Sequence, residues 1–243
     1  MTIKTADVRY SDGALSCNGF LAHQEAQTGK RPGVLVVHEA FGLGEHAMSR
    51  ARMVAELGYV AFAADLFGDR RQVGPAELST VIGGLMADPK ALRQRAKAAL
   101  ASLAGQPQVD ASRLFAIGFC FGGTTALELA RAGCDLLGVV GFHSGLQTAA
   151  PAAPGTIKAG VLTLIGADDP LIPPEQRAAF EDEMRRAKAD WQMVLYGNTV
   201  HSFTNPAADG KFMPGVLYNA EADRRSWLAM RQFFEERLQG ASR

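Results

Sequence analysis

The sequence predicts an α/β protein with a mostly parallel, doubly wound sheet and helices on both faces. Short continuous apolar runs recur at residues 33–38, 114–119 and 161–165, and such runs are typical of parallel strands buried on both faces. Segments of helical character separate them, which indicates βαβ units. The chain has 243 residues and 47% hydrophobic content. We therefore expect a single domain over residues 1–243, large enough to bury a full core.

The N-terminal half begins with a predicted hairpin, in which residues 8–10 and 15–21 flank the turn sequence SDG. The run at 33–38 predicts the first central strand. A helix over 46–57 ends at Gly58, and a strand over 59–64 follows. These elements form the first strand–helix–strand unit.

Residues 65–88 lose the periodicity because Gly and Pro recur there. We interpret this segment as a small cap-like excursion over the site. After it, Pro89 opens a helix whose periodic part covers 91–103.

The C-terminal half continues the alternation of strands and helices. The predicted strands are 114–119, 136–142, 161–165 and 191–196, the predicted helices follow residue 125 and cover 174–188 and 221–238, and the Ala- and Pro-rich stretch 147–156 is a loop.

Composition limits the classes of partner. Lys plus Arg and Asp plus Glu number 25 each, so nothing favours a nucleic-acid or membrane surface. No apolar run approaches the ~20 residues of a spanning helix, and the N-terminus lacks a signal-peptide pattern, so we expect a cytoplasmic protein. Three cysteines argue against a disulfide framework, and we expect Cys17 and Cys134 to be plain buried thiols. The oligomeric state is not indicated.

The chain is organised around residues 114–125, which read LFAIGFCFGGTT. An apolar strand runs through Gly-x-Cys-x-Gly into a helical segment. With serine at the centre this would be the nucleophile elbow of α/β-hydrolases, a strained turn that lifts one side chain above the sheet. Here Cys120 takes that place, and a helix N-terminus favours its thiolate. The alternative is a buried structural cysteine beside a Gly-rich turn.

Two later stretches favour the nucleophile. Asp168 and Asp169 follow the strand at 161–165, and His201 comes after the strand at 191–196. Nucleophile, acid and histidine is the chain order of α/β-hydrolase triads, and loops that follow parallel strands converge at one sheet edge. A cysteine nucleophile needs a base, and the base needs a group that fixes its tautomer.

Taken together, the motifs resemble those of the dienelactone hydrolase family, cysteine-dependent relatives of serine esterases. The matching segments, from about residue 33 to the last helix, are GFCFGG at 118–123, Gly166 with Asp169 and Pro173, HSF at 201–203, and EAFG at 39–42. The family spacing between that glycine and that proline selects Asp169 rather than Asp168 as the acid. Asp168 then has a loop or capping role.

The resemblance also implies roles that the residues alone do not establish. It implies that Glu39 pairs with the resting thiol of Cys120 and helps to generate the thiolate. By position alone, Glu39 is better explained as a solvated loop carboxylate. The resemblance further implies an oxyanion hole formed by the backbone N–H groups of Phe121 and Ala40, and the general geometry of an elbow supports the first of these donors.

Residues close to these motifs are candidates for the substrate pocket: His38, Phe41, His143, Phe203 and Asn205. Lone histidines are more often structural, and His46 has the position of a helix-start residue. A catalytic metal is not expected, since the one local cluster, His38, Glu39 and His46, lacks helical i, i+4 spacing and a cysteine pair. No cofactor is expected.

One departure from the family bears on the substrate. Relatives that act on anionic lactones carry an arginine four residues after the histidine, where this chain has Asn205. A second family arginine precedes the elbow, where the possible counterparts are Arg70, Arg71, Arg93 and Arg95.

The sequence therefore predicts an enzyme that cleaves small, neutral carboxylic esters or lactones through a thioester on Cys120, with His201 as base and Asp169 as its orienting acid. One alternative is a promiscuous, metal-independent hydrolase of aryl esters or phosphotriesters. Another, from a different class, is a non-catalytic ligand-binding protein on a hydrolase scaffold.

Overall fold

The computed structural model describes residues 2–211 and 213–241 and contains an eight-stranded sheet in the order β1-β2-β4-β3-β5-β6-β7-β8. The strands β1 and β2 pair antiparallel and β2 pairs antiparallel with β4, whereas all neighbours from β4 to β8 are parallel. In chain order the elements are β1 Ile3–Ser11, β2 Ser16–Gln24, β3 Arg31–Val37, α1 Glu45–Glu56, β4 Val60–Ala64, α2 Leu78–Ala87, α3 Pro89–Ala104, β5 Val109–Phe119, α4 Phe121–Arg131, β6 Gly138–Phe142, β7 Gly160–Gly166, α5 Pro174–Ala187, β8 Trp191–Tyr196 and α6 Ala220–Ala241.

Each face of the sheet has its own apolar core, which confirms the doubly wound architecture. On one face α1 and α6 bury residues such as Val54 and Phe234. On the other face α3, α4 and α5 bury residues such as Leu103, Leu127 and Phe180. The strands β4, β6 and β7 are buried along their whole length, as expected for continuous apolar runs between two helical layers.

Two stretches differ from the sequence-based expectation. The strand β5 begins at Val109, five residues before its apolar run, because Ser112 and its neighbours form a partly exposed irregularity where the pairing with β3 shifts register. In the segment 65–88, residues 78–87 form helix α2, which has only one buried residue, Leu85. The apolar residues of α2 recur at helical spacing and pack on the core: Leu78, Val81, Ile82, Leu85 and Met86. The sequence-based interpretation as an irregular excursion gave more weight to Gly83 and Gly84, which lie inside the helix.

The segment before α2 is held by a buried carboxylate. Asp65, at the end of β4, accepts hydrogen bonds from the backbone N–H groups of Asn18 (2.9 Å), Phe67 (3.0 Å), Gly68 (3.0 Å) and Arg70 (2.8 Å). These bonds fix the start of the excursion against the hairpin.

No helix among residues 2–211 and 213–241 is both long and apolar enough to cross a bilayer.

Candidate active site

Cys120 occupies the tight turn between β5 and α4. Its backbone has φ 55° and ψ −120°, a conformation that L-residues rarely adopt, and its side chain is partly exposed. The turn is possible because a Cβ at Gly118 would collide with the backbone of Gly122, and a Cβ at Gly122 would collide with the carbonyl oxygen of Val37. Glycines at these positions let the helix start close against the ends of β5 and β3, and Cys120 lies at the apex.

His201 and Asp169 form a buried pair at the same edge of the sheet. Nδ1 of His201 lies 2.8 Å from Oδ2 of Asp169, and their side chains are 4% and 0% exposed. The other carboxylate oxygen, Oδ1, accepts the backbone N–H of Leu171 at 2.9 Å. Both oxygens of Asp169 are therefore occupied, so the carboxylate has one orientation and fixes the ring of His201.

The surroundings of His201 favour its protonated form. Burial alone would lower its pKa, but the sulfur of Cys120 and the carboxylate of Asp169 outweigh burial and raise the pKa of His201 to about 10. Nε2 has no partner at hydrogen-bond distance within the part of the chain that the structure describes, although Cys120 contributes most to the raised pKa of the ring, through its charge and as a hydrogen-bond partner. The ring can thus take up a proton on the side of the thiol while Asp169 stabilises the resulting charge.

The two candidate acids differ in environment. Asp169 is 3% exposed and bonded to His201, whereas Asp168 is exposed, and its backbone N–H donates to the carbonyl oxygen of Thr199 at 3.0 Å. Only Asp169 is placed to orient a histidine.

The predicted oxyanion donors lie at the ends of the central strands. Phe121 is the first residue of α4, and Ala40 lies three residues after β3. In the described part of the chain neither backbone N–H has a hydrogen-bond partner. Free amides at these two points are suited to receive a developing negative charge.

The resemblance implied that Glu39 pairs with the thiol of Cys120, but its carboxylate contacts other groups. Oε1 accepts the hydroxyl of Ser202 at 3.1 Å and Oε2 accepts the amide of Asn205 at 2.5 Å, while Oε2 also lies 3.3 Å from Nδ1 of His46. Burial would raise the pKa of Glu39, but His46, His143 and Asn205 outweigh burial and lower that pKa to about 2. The carboxylate is therefore ionised, and its hydrogen bonds join it to the loop of His201, not to the thiol.

The five predicted pocket residues fall in different environments. His38, His143 and Phe203 are all 0% exposed, whereas Phe41 is 40% exposed at the surface. His38 is satisfied by the backbone, since Nδ1 lies 2.5 Å from the carbonyl oxygen of Glu39 and Nε2 accepts the N–H of Leu66. His38 therefore connects the segment after β3 to the segment after β4 through backbone contacts.

A cavity of about 360 Å³ lies between α2, α3 and the segment after β4. It is lined by Leu15, Phe67, Arg71, Val81, Gly84, Leu85 and Arg95. One lining residue, Phe67, stacks on the ring of Phe121 with centroids 6.1 Å apart, so a single aromatic ring separates the cavity from the first residue of α4. A larger cavity of about 520 Å³ lies at the amino ends of β6 and β7, away from Cys120, and size alone does not identify the site.

The four candidate arginines all have acidic partners. Arg70 pairs with Asp7, Arg71 with Glu77, Arg93 with Glu128 and Arg95 with Asp12.

Sequence reasoning did not assign three further polar residues around the site. His46, Ser202 and Thr204 contact Glu39 or surround the histidine loop. The motif HSF at 201–203 pointed to the loop, but nothing in the sequence indicated that the start of α1 packs against it. Among the described residues, no three His, Cys, Asp or Glu side chains are grouped as metal ligands would be.

A parallel doubly wound sheet with a strained Gly-x-Cys-x-Gly turn before α4 and a histidine–aspartate pair at the same edge defines an α/β-hydrolase fold. Comparison with known proteins agrees. The profile described as "Dienelactone hydrolase family" matches residues 17–238. The chain belongs to the dienelactone hydrolase family, a family of hydrolases.

Two solved structures are similar over nearly the whole chain. A protein called m3DLH is 50% identical with a TM-score of 0.93, and a dienelactone hydrolase-like promiscuous phosphotriesterase from metagenomic libraries is 47% identical with a TM-score of 0.91. Each match covers 97% of this chain and 99% of the other. A Salmonella typhimurium protein with the provisional name carboxymethylenebutenolidase is 30% identical, over 89% of this chain and 82% of its own length.

Proposed function

We propose that the protein hydrolyses small, neutral carboxylic esters or lactones through a covalent thioester on Cys120. The observation that carries this proposal is the buried His201–Asp169 pair at the sheet edge where Cys120 occupies the strained turn. Cys120 is also the group that does most to raise the pKa of His201. A histidine oriented in this way activates a thiol and later returns the proton to a leaving group.

In the first half-reaction Nε2 of His201 takes the thiol proton and the sulfur of Cys120 attacks the carbonyl carbon. The carbonyl π electrons move to oxygen, where the N–H groups of Phe121 and Ala40 stabilise the charge. Collapse of this intermediate breaks the ester C–O bond, and the departing alkoxide receives the proton from His201. In the second half, His201 deprotonates a water that attacks the thioester, which releases the acid and restores the thiol.

Charge around the site supports a preference for neutral substrates. Asn205 stands where relatives that bind anionic lactones have an arginine, and its amide is bonded to Glu39. The other arginine candidates are paired with carboxylates. A substrate carboxylate would therefore lack a charged, bidentate partner, a contact that contributes on the order of 2 kcal/mol.

The test is release of p-nitrophenol from p-nitrophenyl acetate, with and without alkylation by iodoacetamide. Cys120→Ala should remove nearly all turnover and the acyl adduct seen by mass spectrometry, whereas Cys134→Ala, at a thiol remote from the elbow, should retain both. Full activity in Cys120→Ala would refute the thioester. No turnover of any ester or lactone would favour the non-catalytic ligand-binding alternative.

A second candidate activity is metal-independent hydrolysis of neutral aryl phosphotriesters. It is favoured by the 47% identity to the promiscuous phosphotriesterase. A P=O group presents an oxygen that develops charge as a carbonyl does, and two N–H donors suit both. Comparing kcat/KM for a cis-dienelactone, p-nitrophenyl acetate and a diethyl aryl phosphate in excess chelator tests both parts. If the dienelactone has the highest kcat/KM, the proposed preference for neutral substrates is wrong. If the diethyl aryl phosphate is not turned over, the second activity is excluded.

A further inference from the structure

A buried row of polar side chains runs behind the site, from Glu39 through His46 and Thr204 to His143. Nδ1 of His46 lies 3.3 Å from Oε2 of Glu39, a distance for an ion pair without the geometry of a hydrogen bond. Nε2 of His46 lies 3.2 Å from the carbonyl oxygen of Thr204. The hydroxyl of Thr204 lies 2.8 Å from Nε2 of His143 and 3.3 Å from Nε2 of His46. Thr204 and His143 are both 0% exposed, so water does not compete for these contacts.

The acceptors in this row determine where the protons lie. A carbonyl oxygen only accepts, so Nε2 of His46 must donate to Thr204. Since that nitrogen carries a proton, the Thr204 hydroxyl cannot donate to it and is left to donate to Nε2 of His143. With the hydroxyl proton directed at His143, that ring accepts at Nε2 and, when neutral, carries its proton on Nδ1, which has no partner among the described residues. In the reverse arrangement the hydroxyl would accept from both rings, and its own proton would have no acceptor in this row.

The last ring in the row packs against the base. The ring centroids of His143 and His201 are 5.1 Å apart at an interplanar angle of 67°. Burial, followed by the neighbouring His201, holds the pKa of His143 well below its ordinary value. The other charged groups that act on it are Glu39, which opposes this shift, and His46 and Arg50, which reinforce it. A neutral ring here avoids like-charge repulsion with the imidazolium of His201.

We propose that His46 and Thr204 are positioning residues of the active site: Nδ1 of His46 lies against the carboxylate of Glu39, Nε2 of His46 donates to the carbonyl oxygen of Thr204, and the Thr204 hydroxyl fixes His143 as the neutral Nδ1–H tautomer behind the base. The row connects the segment after β3, which carries Ala40, to the loop that carries His201. This inference rests on the proposed function for its kinetic consequence, but the state of His143 is measurable without turnover.

The decisive variant is Thr204→Val, which removes the hydroxyl at nearly constant shape, and Thr204→Ser is its matched control. In long-range ¹H–¹⁵N spectra of the full chain, wild type and Thr204→Ser should show His143 as a non-titrating Nδ1–H tautomer. In Thr204→Val that pattern should be lost. The kcat for p-nitrophenyl acetate should fall about tenfold in Thr204→Val, the equivalent of one buried hydrogen bond, and stay near wild type in Thr204→Ser.

A second pair keeps the test decisive if Thr204→Val does not fold by circular dichroism. His46→Gln places an amide N–H near the position of Nε2 and retains the contact with Thr204, whereas His46→Leu removes both contacts. His46→Leu should lose the His143 pattern and about tenfold in kcat, and His46→Gln should keep the pattern.

Unchanged His143 resonances in both Thr204→Val and His46→Leu would overturn the proposal, as would equal damage from Thr204→Ser and Thr204→Val. A wild-type protein that shows the predicted tautomer but hydrolyses no ester would refute the proposed function and leave the row of hydrogen bonds intact.

Discussion

Replacing Asp169 by asparagine should lower kcat by about 10³- to 10⁴-fold while the fold remains intact. The direction of this effect follows from the second contact of the carboxylate. Oδ1 accepts the N–H of Leu171 at 2.9 Å, and an asparagine must keep its carbonyl oxygen there. Its NH₂ group is then directed at Nδ1 of His201, 2.8 Å away in the wild type. Nδ1 must accept that hydrogen bond, so the ring proton moves to Nε2, the nitrogen that should receive the thiol proton.

The magnitude has two contributions. A hydrogen bond to a buried charge contributes about 1.5–3 kcal/mol. The wrong tautomer adds to this, because the base is absent from the reactive geometry for most of the time, and the sum corresponds to about 4–5.5 kcal/mol in the barrier. The carboxylate that raises the pKa of His201 is also lost, so the imidazolium is less stable in the variant.

The assay is kcat for p-nitrophenyl acetate, with Asp168→Asn as the matched control. Asp168 is the exposed neighbour of Asp169 and should tolerate the same change with an effect within about twofold, as is usual for surface positions. Thermal unfolding should show that both variants are folded. Greater damage from Asp168→Asn, or a loss below tenfold in Asp169→Asn, would refute the assignment of the acid.

Three further predictions concern Glu39, the elbow glycine Gly122 and the last residue of α4, Arg131. Glu39 has a pKa lowered from 4.5 to about 2, so its charge stabilises the fold above pH 4.5, and that contribution is lost as the pH falls towards 2. In urea titrations the free energy of unfolding of wild type should exceed that of Glu39→Gln by about 2–4 kcal/mol at neutral pH, and the difference should vanish towards pH 2. A difference that does not change with pH would contradict an ionised carboxylate. Gly122→Ala should lose about 3 kcal/mol or more in the same titrations, because a Cβ there meets the carbonyl oxygens of Val37 and His38, while Gly197→Ala, where nothing lies within 4 Å of the added Cβ, should have little effect. Arg131→Met should cost about 3–5 kcal/mol because it leaves the buried carboxylate of Glu183 unpaired, and a neutral outcome would mean that the pair contributes no net stability.

Much of the scaffold could be predicted from local pattern. The strand Trp191–Tyr196 has the predicted bounds, and helix α5 ends within one residue of its predicted end. The shared sheet edge of the loops that carry Cys120, Asp169 and His201 was also predictable, since each loop follows a parallel strand. The exposed start of β5 could not be predicted because it presents no apolar face to the core. Helix α2 does have apolar residues at helical spacing, but the glycines at 83 and 84 favoured an irregular segment instead.

The hydrogen-bond partners within the site could not be predicted from the sequence. Glu39 was expected beside the thiol, but its oxygens face Ser202, Asn205 and His46. More than 150 positions separate Glu39 from the first two of these partners in the chain. Such pairs are determined by how the start of α1 and the loop after β8 pack together, and no short motif encodes that packing. The resemblance therefore indicated the position of Glu39 but not the groups that it binds.

Three residues around the site, Cys120, His143 and Ser202, have positive φ angles of 55°, 38° and 55° although none is glycine. Each such conformation costs about 1–3 kcal/mol and persists only because its surroundings enforce it. If random variants were selected for heat resistance alone, glycine would be accepted at these positions, because glycine adopts a positive φ without strain and the folded state becomes more stable. Selection for heat resistance therefore has to be combined with selection for turnover. The substitutions that most readily stabilise this region are the same ones that remove the side chains of the site.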